Sequence, residues 1–437
     1  MDRGDILKFL ILSHNPVTTY DAMGKTMATL FAEFDKKELC QLYIYPTIPD
    51  IDFCDSYYRV TDKDVLNSYF KFKVNGREIA KSEIDTSSHS MFENPEDEAK
   101  YRNRKNKTAV RMLLRDIMWR FSSWYNKDLK EWLKEQAPTC IFVAPGSAKF
   151  FYDMALKISK DFKIPIVTYI CDEYYFLKSP KGLLEKIRIM ALQKKIAGLM
   201  KKTSHIITIC DSLSELYSNE FSVPSTVIMT GTSYDISQEI APTANKKAIT
   251  YMGNIRCNRF NSLAEIGREL KNINDEKGTD FLLNIYTAEK DETILSTFDG
   301  IDTIKLCGYV GGEEFDRVFH SADILLHTEA FDEKSIDSVK NSVSTKIADS
   351  LASGICMFAY GPENVASMQH LIKNKCAVVA TSRESLKSML ETLFLDENAR
   401  INATQNALKT AAVFHNSQIN SKKLYEIMEK VNEDITG

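Results

Sequence analysis

The chain has 437 residues, of which 44% are hydrophobic and 27% charged, and its formal net charge is −4. That length exceeds what one hydrophobic core accommodates and predicts two domains of about 200 residues each. The small net charge argues against a nucleic-acid partner, and the lack of a signal-peptide pattern or of an apolar run of about 20 residues predicts a cytoplasmic protein.

The first half of the chain alternates apolar runs with helical patterns. The run 6–13 has β character and ends at His14, and we predict that Gly24 and Lys25 lie in a loop leading into a helix over 27–34. This unit is typical of a Rossmann-like domain, but it is no P-loop, because position 19 is Thr where that motif requires Gly. One interpretation of this segment is an ordinary strand-to-helix turn.

The segment 100–120 is strongly basic. It carries eight Lys and Arg residues against one acid, Asp116, and it merges into an amphipathic helical pattern. A basic amphipathic helix with aromatic residues favours contact with an anionic membrane surface. The alternative is a solvated face above a helix that packs on the core.

Two acidic residues follow the predicted strand 164–171. Asp172 and Glu173 stand at its carboxyl end, where ligands bind in open α/β sheets. They are therefore candidate functional residues, and the alternative is that either one caps the next segment or pairs with a lysine.

A second basic segment spans 181–202. Lys181, Arg188, Lys195 and Lys202 recur at seven-residue intervals and are predicted to share one helix face. Two basic helices in one half of the chain strengthen the prediction of a membrane-surface contact, with the protein peripheral on the inner face of the cell membrane.

A polar linker at 242–247 separates the halves, and the second half begins with the strand 248–252. Gly253 follows that strand, with Arg256 and Arg259 in the loop before a helix. Guanidinium groups bind a diphosphate in bidentate fashion and keep their charge, so this loop is a candidate anion site. The alternative for the arginines is a surface ion pair.

The stretch 342–362 holds half of a predicted nucleotide site. Ser344 and Thr345 open a short helix next to Lys346, and a helix N-terminus with its free N–H groups attracts phosphate. Asp349, less than a turn further on, is placed to accept hydrogen bonds from ribose hydroxyls. Gly354 then ends the helix before a buried strand.

These residues carry a family resemblance. The pattern Thr345-Lys346-(x2)-Asp349-(x2)-Ala352-(x)-Gly354, followed by an apolar strand, resembles the donor-site signature of GT-B glycosyltransferases of the family 4 type. The chain departs from that signature in three places: Asp349 replaces the usual Glu, Cys356 replaces Pro, and Asn341 occupies the position of the first Glu of the family's Glu-(x7)-Glu pair.

The resemblance implies an α/β protein of the GT-B fold, with two Rossmann-like domains facing across a cleft. It divides the chain into an acceptor-binding domain at 1–240, a donor domain at 241–415 and a C-terminal helix at 416–437 that returns to the first domain.

The resemblance also assigns roles to residues. Arg256 or Arg259 would contact the donor phosphates, and the backbone at Tyr309 and Val310 would meet the base. Glu329 and Glu333 lie just upstream of the displaced Glu position and are the candidates for its role, and Glu329 is the predicted carboxylate on the sugar side. Asp172, a second candidate catalytic residue, and Glu173 would face the acceptor. GT-B enzymes also place the loop after the first strand against the donor phosphates or the acceptor, which makes His14, Gly24 and Lys25 candidates for such a contact.

The implied activity is transfer of a sugar from a nucleoside-diphosphate sugar to a glycan or lipid-linked acceptor in surface polysaccharide biosynthesis. By analogy with the family, transfer would retain the anomeric configuration and use neither metal nor cofactor, since cationic groups stabilise the leaving diphosphate. Three alternatives stay open: a nucleotide-sugar epimerase, a glycan phosphorylase of the same fold, and a catalytically silent GT-B partner or nucleotide-sugar-binding protein.

The nine cysteines occur singly, and no pair has C-x-x-C spacing. This pattern predicts buried, reduced thiols and no metal site.

Overall fold

The computed structural model describes residues 7–18, 22–71, 76–84, 109–176, 182–237 and 239–436. The chain divides into two compact units, one formed by Met1–Met229 with Ser417–Gly437 and the other by Thr230–Asn416. Each unit is built around a sheet dominated by parallel strands, so the predicted α/β class with two Rossmann-like domains is confirmed.

The first unit contains a sheet in the order β4-β3-β2-β1-β5-β6-β7-β8, in which β4 alone is antiparallel to its neighbour. Its strands are β1 (Phe9–Ser13), β2 (Leu39–Tyr43), β3 (Ser56–Arg59), β4 (Arg77–Ile79), β5 (Cys140–Val143), β6 (Ile166–Ile170), β7 (Thr203–Thr208) and β8 (Ser225–Val227). Its helices are α1 (Ala22–Leu30), α2 (Asp62–Lys71), α3 (Ala109–Phe121), α4 (Lys127–Gln136), α5 (Lys149–Phe162), α6 (Leu183–Met200), α7 (Asp211–Phe221) and the C-terminal helix α16 (Ser417–Thr436).

The second unit contains an all-parallel sheet in the order β11-β10-β9-β12-β13-β14. Its strands are β9 (Ala248–Met252), β10 (Leu282–Tyr286), β11 (Ile304–Gly308), β12 (Ile324–Thr328), β13 (Met357–Tyr360) and β14 (Val378–Ala380). Its helices are α8 (Arg259–Lys277), α9 (Glu292–Leu295), α10 (Glu313–His320), α11 (Glu333–Val339), α12 (Thr345–Ala352), α13 (Ala366–Asn374), α14 (Arg383–Leu395) and α15 (Glu397–Phe414).

The central strands are apolar because helices cover both faces of each sheet. All residues of β1, β2, β5 and β13 are buried. This explains why these strands read as continuous apolar runs, and it places their polar exit loops at the carboxyl edge of each sheet.

The C-terminal helix α16 packs within the first unit against α1, β5 and β7. Leu424 and Met428 are fully buried there, and the Tyr425 ring lies 5.0 Å from Phe34 and 5.9 Å from Phe9, between ring centroids. The segment 417–436 therefore completes the core of the first unit.

The prediction of a Gly24-Lys25 loop is wrong, because α1 begins at Ala22 and contains both residues. A β-carbon on Gly24 would stand 2.2 Å from the Thr18 carbonyl oxygen. The glycine permits α1 to lie close against the chain before it, and it does not open a turn.

One further prediction needs correction. All nine cysteines are free, as predicted, but Cys257 and Cys307 are exposed and so depart from the expected burial.

Candidate functional site

A cavity of about 110 Å³ lies in the second unit at the carboxyl ends of β9 and β12 and the N-terminus of α12. Chemically distinctive side chains line it: Tyr251, Arg259, His327, Glu329, Ser344 and Lys346. Three of them, Glu329, Arg259 and Lys346, come from distant parts of the sequence and are brought together where parallel strands end.

Lys346 lies in the first turn of α12 and points back to the end of β9. Its Nζ donates a hydrogen bond of 2.6 Å to the Met252 carbonyl oxygen. A β-carbon on Gly253 would stand 2.2 Å from Nζ, so glycine leaves room for the ammonium group at this strand end. Ser344 caps α12 without a side-chain capping bond. An ammonium group and a helix N-terminus thus converge on one cavity, which is an arrangement that attracts anions.

Glu329 and Arg259 form a bidentate ion pair on the same cavity wall. Arg259 Nε and Nη2 lie 2.8 and 3.0 Å from the carboxylate oxygens of Glu329, whose side chain is 5% exposed. Burial raises the pKa of Glu329, and the positive charge of Arg259 opposes that rise. Ser262 Oγ donates to the Glu329 carbonyl oxygen at 2.9 Å and holds the backbone in place.

His327 stands between this pair and α13. Its Nε2 lies 3.6 Å from Glu329 Oε1 and 3.1 Å from Ser367 Oγ. Burial, with Arg259 and Lys346 nearby, lowers the pKa of His327 to about 3, so the ring is neutral at physiological pH. The sequence pattern did not single out His327. The sequence feature that could have pointed to His327 is its position: it is a polar residue near the end of an apolar strand, two residues before Glu329.

Arg256 lies outside the cavity lining. It forms a bidentate pair with Glu289 at 2.5 and 2.9 Å, and this pair lowers the pKa of Glu289 to about 2. The structure therefore gives Arg256 the ion pair that the sequence offered as the alternative, and of the two arginines it is Arg259 that faces the cavity.

Asp349 is buried in α12 and does not line the cavity. Its Oδ1 accepts hydrogen bonds from Thr232 Oγ1 and from the Ser233 backbone N–H, each at 3.0 Å. These bonds tie α12 to the start of the second unit. Contact between Asp349 and a ribose stays a prediction.

Three other predicted donor residues do not line the cavity. Thr345 is the first residue of α12 and is half-buried. Tyr309 follows β11 with its side chain largely exposed, while Val310 packs against the apolar cluster around Met252. Their contacts with phosphate or base stay predictions.

The first unit holds a larger cavity of about 340 Å³ at the carboxyl ends of β1 and β5. Polar groups and charged groups of both signs line it: His14, Asn15, Arg111, Arg115, Asp116, Ser147 and Tyr174. The His14 ring stacks on Phe151 with centroids 4.3 Å apart. Of the residues predicted to contact an acceptor, His14 lies here. Arg111 and Arg115 were read only as part of a basic helix.

Asp172 and Glu173 follow β6, as predicted, but they do not line this cavity. Glu173 Oε1 accepts hydrogen bonds from the backbone N–H groups of Tyr175 and Phe176 at 2.6 and 2.8 Å, so Glu173 caps the next segment. Burial raises the pKa of Glu173. Asp172 accepts a bond of 3.2 Å from the hydroxyl of Tyr174, which does line the cavity. Gly24 and Lys25, inside α1, are not among its lining residues.

The two basic segments predicted to face a membrane, 100–120 and 181–202, are not fully exposed in the structure. Residues 100–108 and Lys181 lie outside the described part of the chain. Within α6, Lys195 pairs with Asp153 of α5 at 2.5 Å and Arg188 is half-buried. The residues at seven-residue spacing therefore do not form one continuous exposed face, because part of that face of α6 packs against α5.

The residues that the structure describes contain no group of three or more His, Cys, Asp or Glu side chains arranged to hold a metal ion. Among these same residues, no helix has the length and apolar character needed to cross a bilayer.

No family model and no curated protein matches this sequence. Solved structures do match. A trehalose-6-phosphate synthase from Burkholderia multivorans is 10% identical, with a TM-score of 0.62 over 99% of this chain and 98% of that one. A sucrose-phosphate synthase from Thermosynechococcus elongatus is 10% identical, with a TM-score of 0.59 over 97% and 99%.

Anabaena HepE, solved with UDP and glucose, is also 10% identical, with a TM-score of 0.60 over 97% of this chain and 100% of that one. These neighbours are GT-B proteins aligned over nearly their whole length. The chain therefore has the GT-B fold, as the sequence resemblance predicted.

Proposed function

We propose that this protein is a glycosyltransferase that moves a sugar from a nucleoside-diphosphate sugar to a glycan or lipid-linked acceptor. The observation that carries the proposal is the meeting of Lys346, the N-terminus of α12 and the Arg259–Glu329 pair around one cavity at the carboxyl edge of the second sheet. In GT-B neighbours such as HepE, the solved complexes contain UDP or UDP-glucose, which supports UDP as the first nucleotide to test.

In this proposal the charge that grows on the leaving diphosphate is stabilised by Lys346 and by the backbone N–H groups that open α12. Both are in place before the donor arrives, so little reorganisation is needed at the moment of reaction. Arg259 is held by Glu329 and would share its guanidinium with the diphosphate. Glu329 would face the sugar side of the bond that breaks.

The finer points are also proposals. Retention of configuration follows from the family 4 resemblance, and the cationic groups named above support chemistry without a metal. A role in surface polysaccharide biosynthesis and a peripheral place at the inner membrane face follow from the resemblance and from the basic segments of the first unit.

A thermal-shift series with UDP, GDP, ADP, CDP and dTDP tests the donor site. A ligand at 100 times its Kd adds about 2.7 kcal/mol to the free energy of unfolding. We expect one nucleotide to raise the melting temperature, and Lys346→Met to weaken its binding about 10- to 100-fold, because charge-assisted hydrogen bonds to the phosphates are lost.

The matched control is Lys305→Met, which removes an exposed lysine on β11 away from the cavity. Equal affinities in the two variants would contradict the donor site. Product formation from the bound nucleotide's sugar donor, with and without chelator, and the anomeric configuration seen by NMR, then test metal independence and retention.

A second candidate function is a GT-B protein that binds a nucleotide sugar without transferring it. One observation favours it: the Asp349 carboxylate, placed where the family has Glu, accepts bonds from Thr232 and Ser233. Nucleotide binding without transfer or hydrolysis of any donor sugar, tested against a range of acceptors, would support this function over the first.

A further inference from the structure

Helix α3 exposes an apolar stripe. Val110, Leu114, Ile117 and Phe121 have exposed fractions between 44% and 71%. At about 100° per residue, these four positions fall within roughly 40° of one line along the helix. A surface helix normally turns its apolar stripe toward the core. In α3 the face opposite the stripe packs on the core, since the side chains of Asp116 and Trp119 on that face are buried.

Arginines border this stripe on both sides. At the same angular spacing, Arg111 and Arg120 lie roughly 100° and 80° from Val110 in opposite directions, and both are exposed. An apolar stripe between two cationic flanks is the pattern of a helix that lies in the boundary layer of an anionic bilayer.

A second helix extends the surface. Helix α6 packs against α3, and its first two turns expose Leu183, Leu184, Ile187 and Met190 at fractions between 51% and 73%. Lys186 and Lys194 are exposed on the same helix. Two neighbouring helices therefore present eight large apolar side chains with lysines and arginines among them.

We propose that this surface of α3 and α6 inserts its apolar side chains into the head-group boundary of an anionic lipid bilayer. The partner follows from charge: flanking guanidinium groups attract lipid phosphates, while the apolar stripe between them gains by leaving water. In this proposal the membrane contact is made by exposed residues of α3 and α6, and no longer by the basic row of α6 that includes the half-buried Arg188 and Lys195. It deepens the membrane association put forward above.

The surface also lies beside the cavity of the first unit, because Arg111 lines that cavity from α3 while Leu114 is exposed on the same helix. Arg115, which lines it too, is paired with Asp62 at 2.9 and 3.0 Å, and Asp116 adds an acid to the lining. A lipid-linked acceptor, which rests on the proposed function, would therefore reach this cavity from the bilayer that receives Leu114.

Vesicle flotation tests the surface, using vesicles of phosphatidylglycerol and phosphatidylcholine in equal parts against vesicles of phosphatidylcholine alone. We expect the full-length protein to float with the anionic vesicles. The double variant Leu114→Ser with Phe121→Ser should lose at least about tenfold in partitioning, because two large side chains no longer transfer from water.

The matched control is Leu395→Ser with Val413→Ser, which removes two side chains of the second unit that are 55% and 61% exposed. This control should float like the wild type. Raised salt should weaken flotation, since the arginine contribution is screened.

Three results would overturn the proposal: absence of flotation with anionic vesicles, equal flotation of the stripe and control variants, or light scattering that shows a dimer dissociated by the stripe variant. The last result would assign the surface to a second copy of the chain. Nucleotide thermal shifts in the same variants keep this test separate from the donor site, because Leu114 and Phe121 are remote from that cavity in sequence and unit.

Discussion

Glu329 is the residue whose environment has the clearest chemical consequence. Its buried carboxyl has a raised pKa, and only the bidentate contact with Arg259 opposes that rise. If a bound diphosphate takes over part of that guanidinium, the pKa of Glu329 rises further. Nucleotide binding and proton uptake are then linked.

We predict that binding of the preferred nucleoside diphosphate takes up protons through Glu329. The affinity should fall as the pH rises from the pKa of this carboxyl in the free protein to its higher pKa in the complex. The sign follows because the complex binds more protons than the free protein in this range. Calorimetric titration in two buffers of different ionisation enthalpy measures the uptake. Glu329→Gln should abolish the protein's share, leaving the part due to the phosphate itself. Identical uptake in both proteins would show that Arg259 stays with Glu329.

At the scale of the element, α12 is positioned by its two ends. Its first turn carries Lys346 to the strand end at Gly253, and its buried face is tied by Asp349 to Thr232. Gly354 ends the helix with φ +74, and a β-carbon there would stand 2.4 Å from the Glu239 carbonyl oxygen. The helix that aims Lys346 thus depends on glycine at its far end.

We predict that Gly354→Ala lowers the free energy of unfolding by about 2–4 kcal/mol, since a left-handed conformation and a steric overlap add. Gly300→Ala is the control, because Gly300 has φ +76 with no heavy atom within 4 Å of the added carbon. It should cost only about 1–2 kcal/mol. Calorimetry measures both. Equal losses would mean that the Glu239 segment moves aside freely.

At the scale of the whole molecule, the chain leaves the first unit, builds the second and then returns with α16. The returning helix places Leu424 and Met428 in the first unit's core, and Tyr425 donates a hydrogen bond of 2.9 Å to Glu38. The stability of the first unit therefore depends on the last residues of the chain.

We predict that Met428→Ala lowers the free energy of unfolding of the first unit by about 2–5 kcal/mol through the cavity it leaves. Ile419→Ala, on the same helix but 53% exposed, should change it by less than about 0.5 kcal/mol. Tryptophan fluorescence in urea reports this unit selectively, because all three tryptophans, Trp119, Trp124 and Trp132, belong to it. Equal effects of the two variants would show that α16 is not part of this core.

The sequence alone sufficed for the alternation of strands and helices and for the GT-B fold. Strands covered on both faces must be apolar throughout, and a polar residue after such a strand must fall at the sheet edge. The sequence alone therefore predicts that Glu329 and the Lys346 turn lie at one edge of the second sheet. These features depend on short stretches of sequence and can therefore be predicted from them.

Only the tertiary structure decided which partner each charged group takes. Arg259 pairs with Glu329, which is 70 residues away in the sequence. Asp349 bonds to Thr232 over a separation of 117 residues, and Lys195 pairs with Asp153 over a separation of 42 residues. Periodicity along one helix records which face is polar, but it does not record which neighbour lies opposite that face. For this reason Arg256 and Arg259 looked equivalent in sequence, and the exposed apolar stripe of α3 became visible only once the helices were packed.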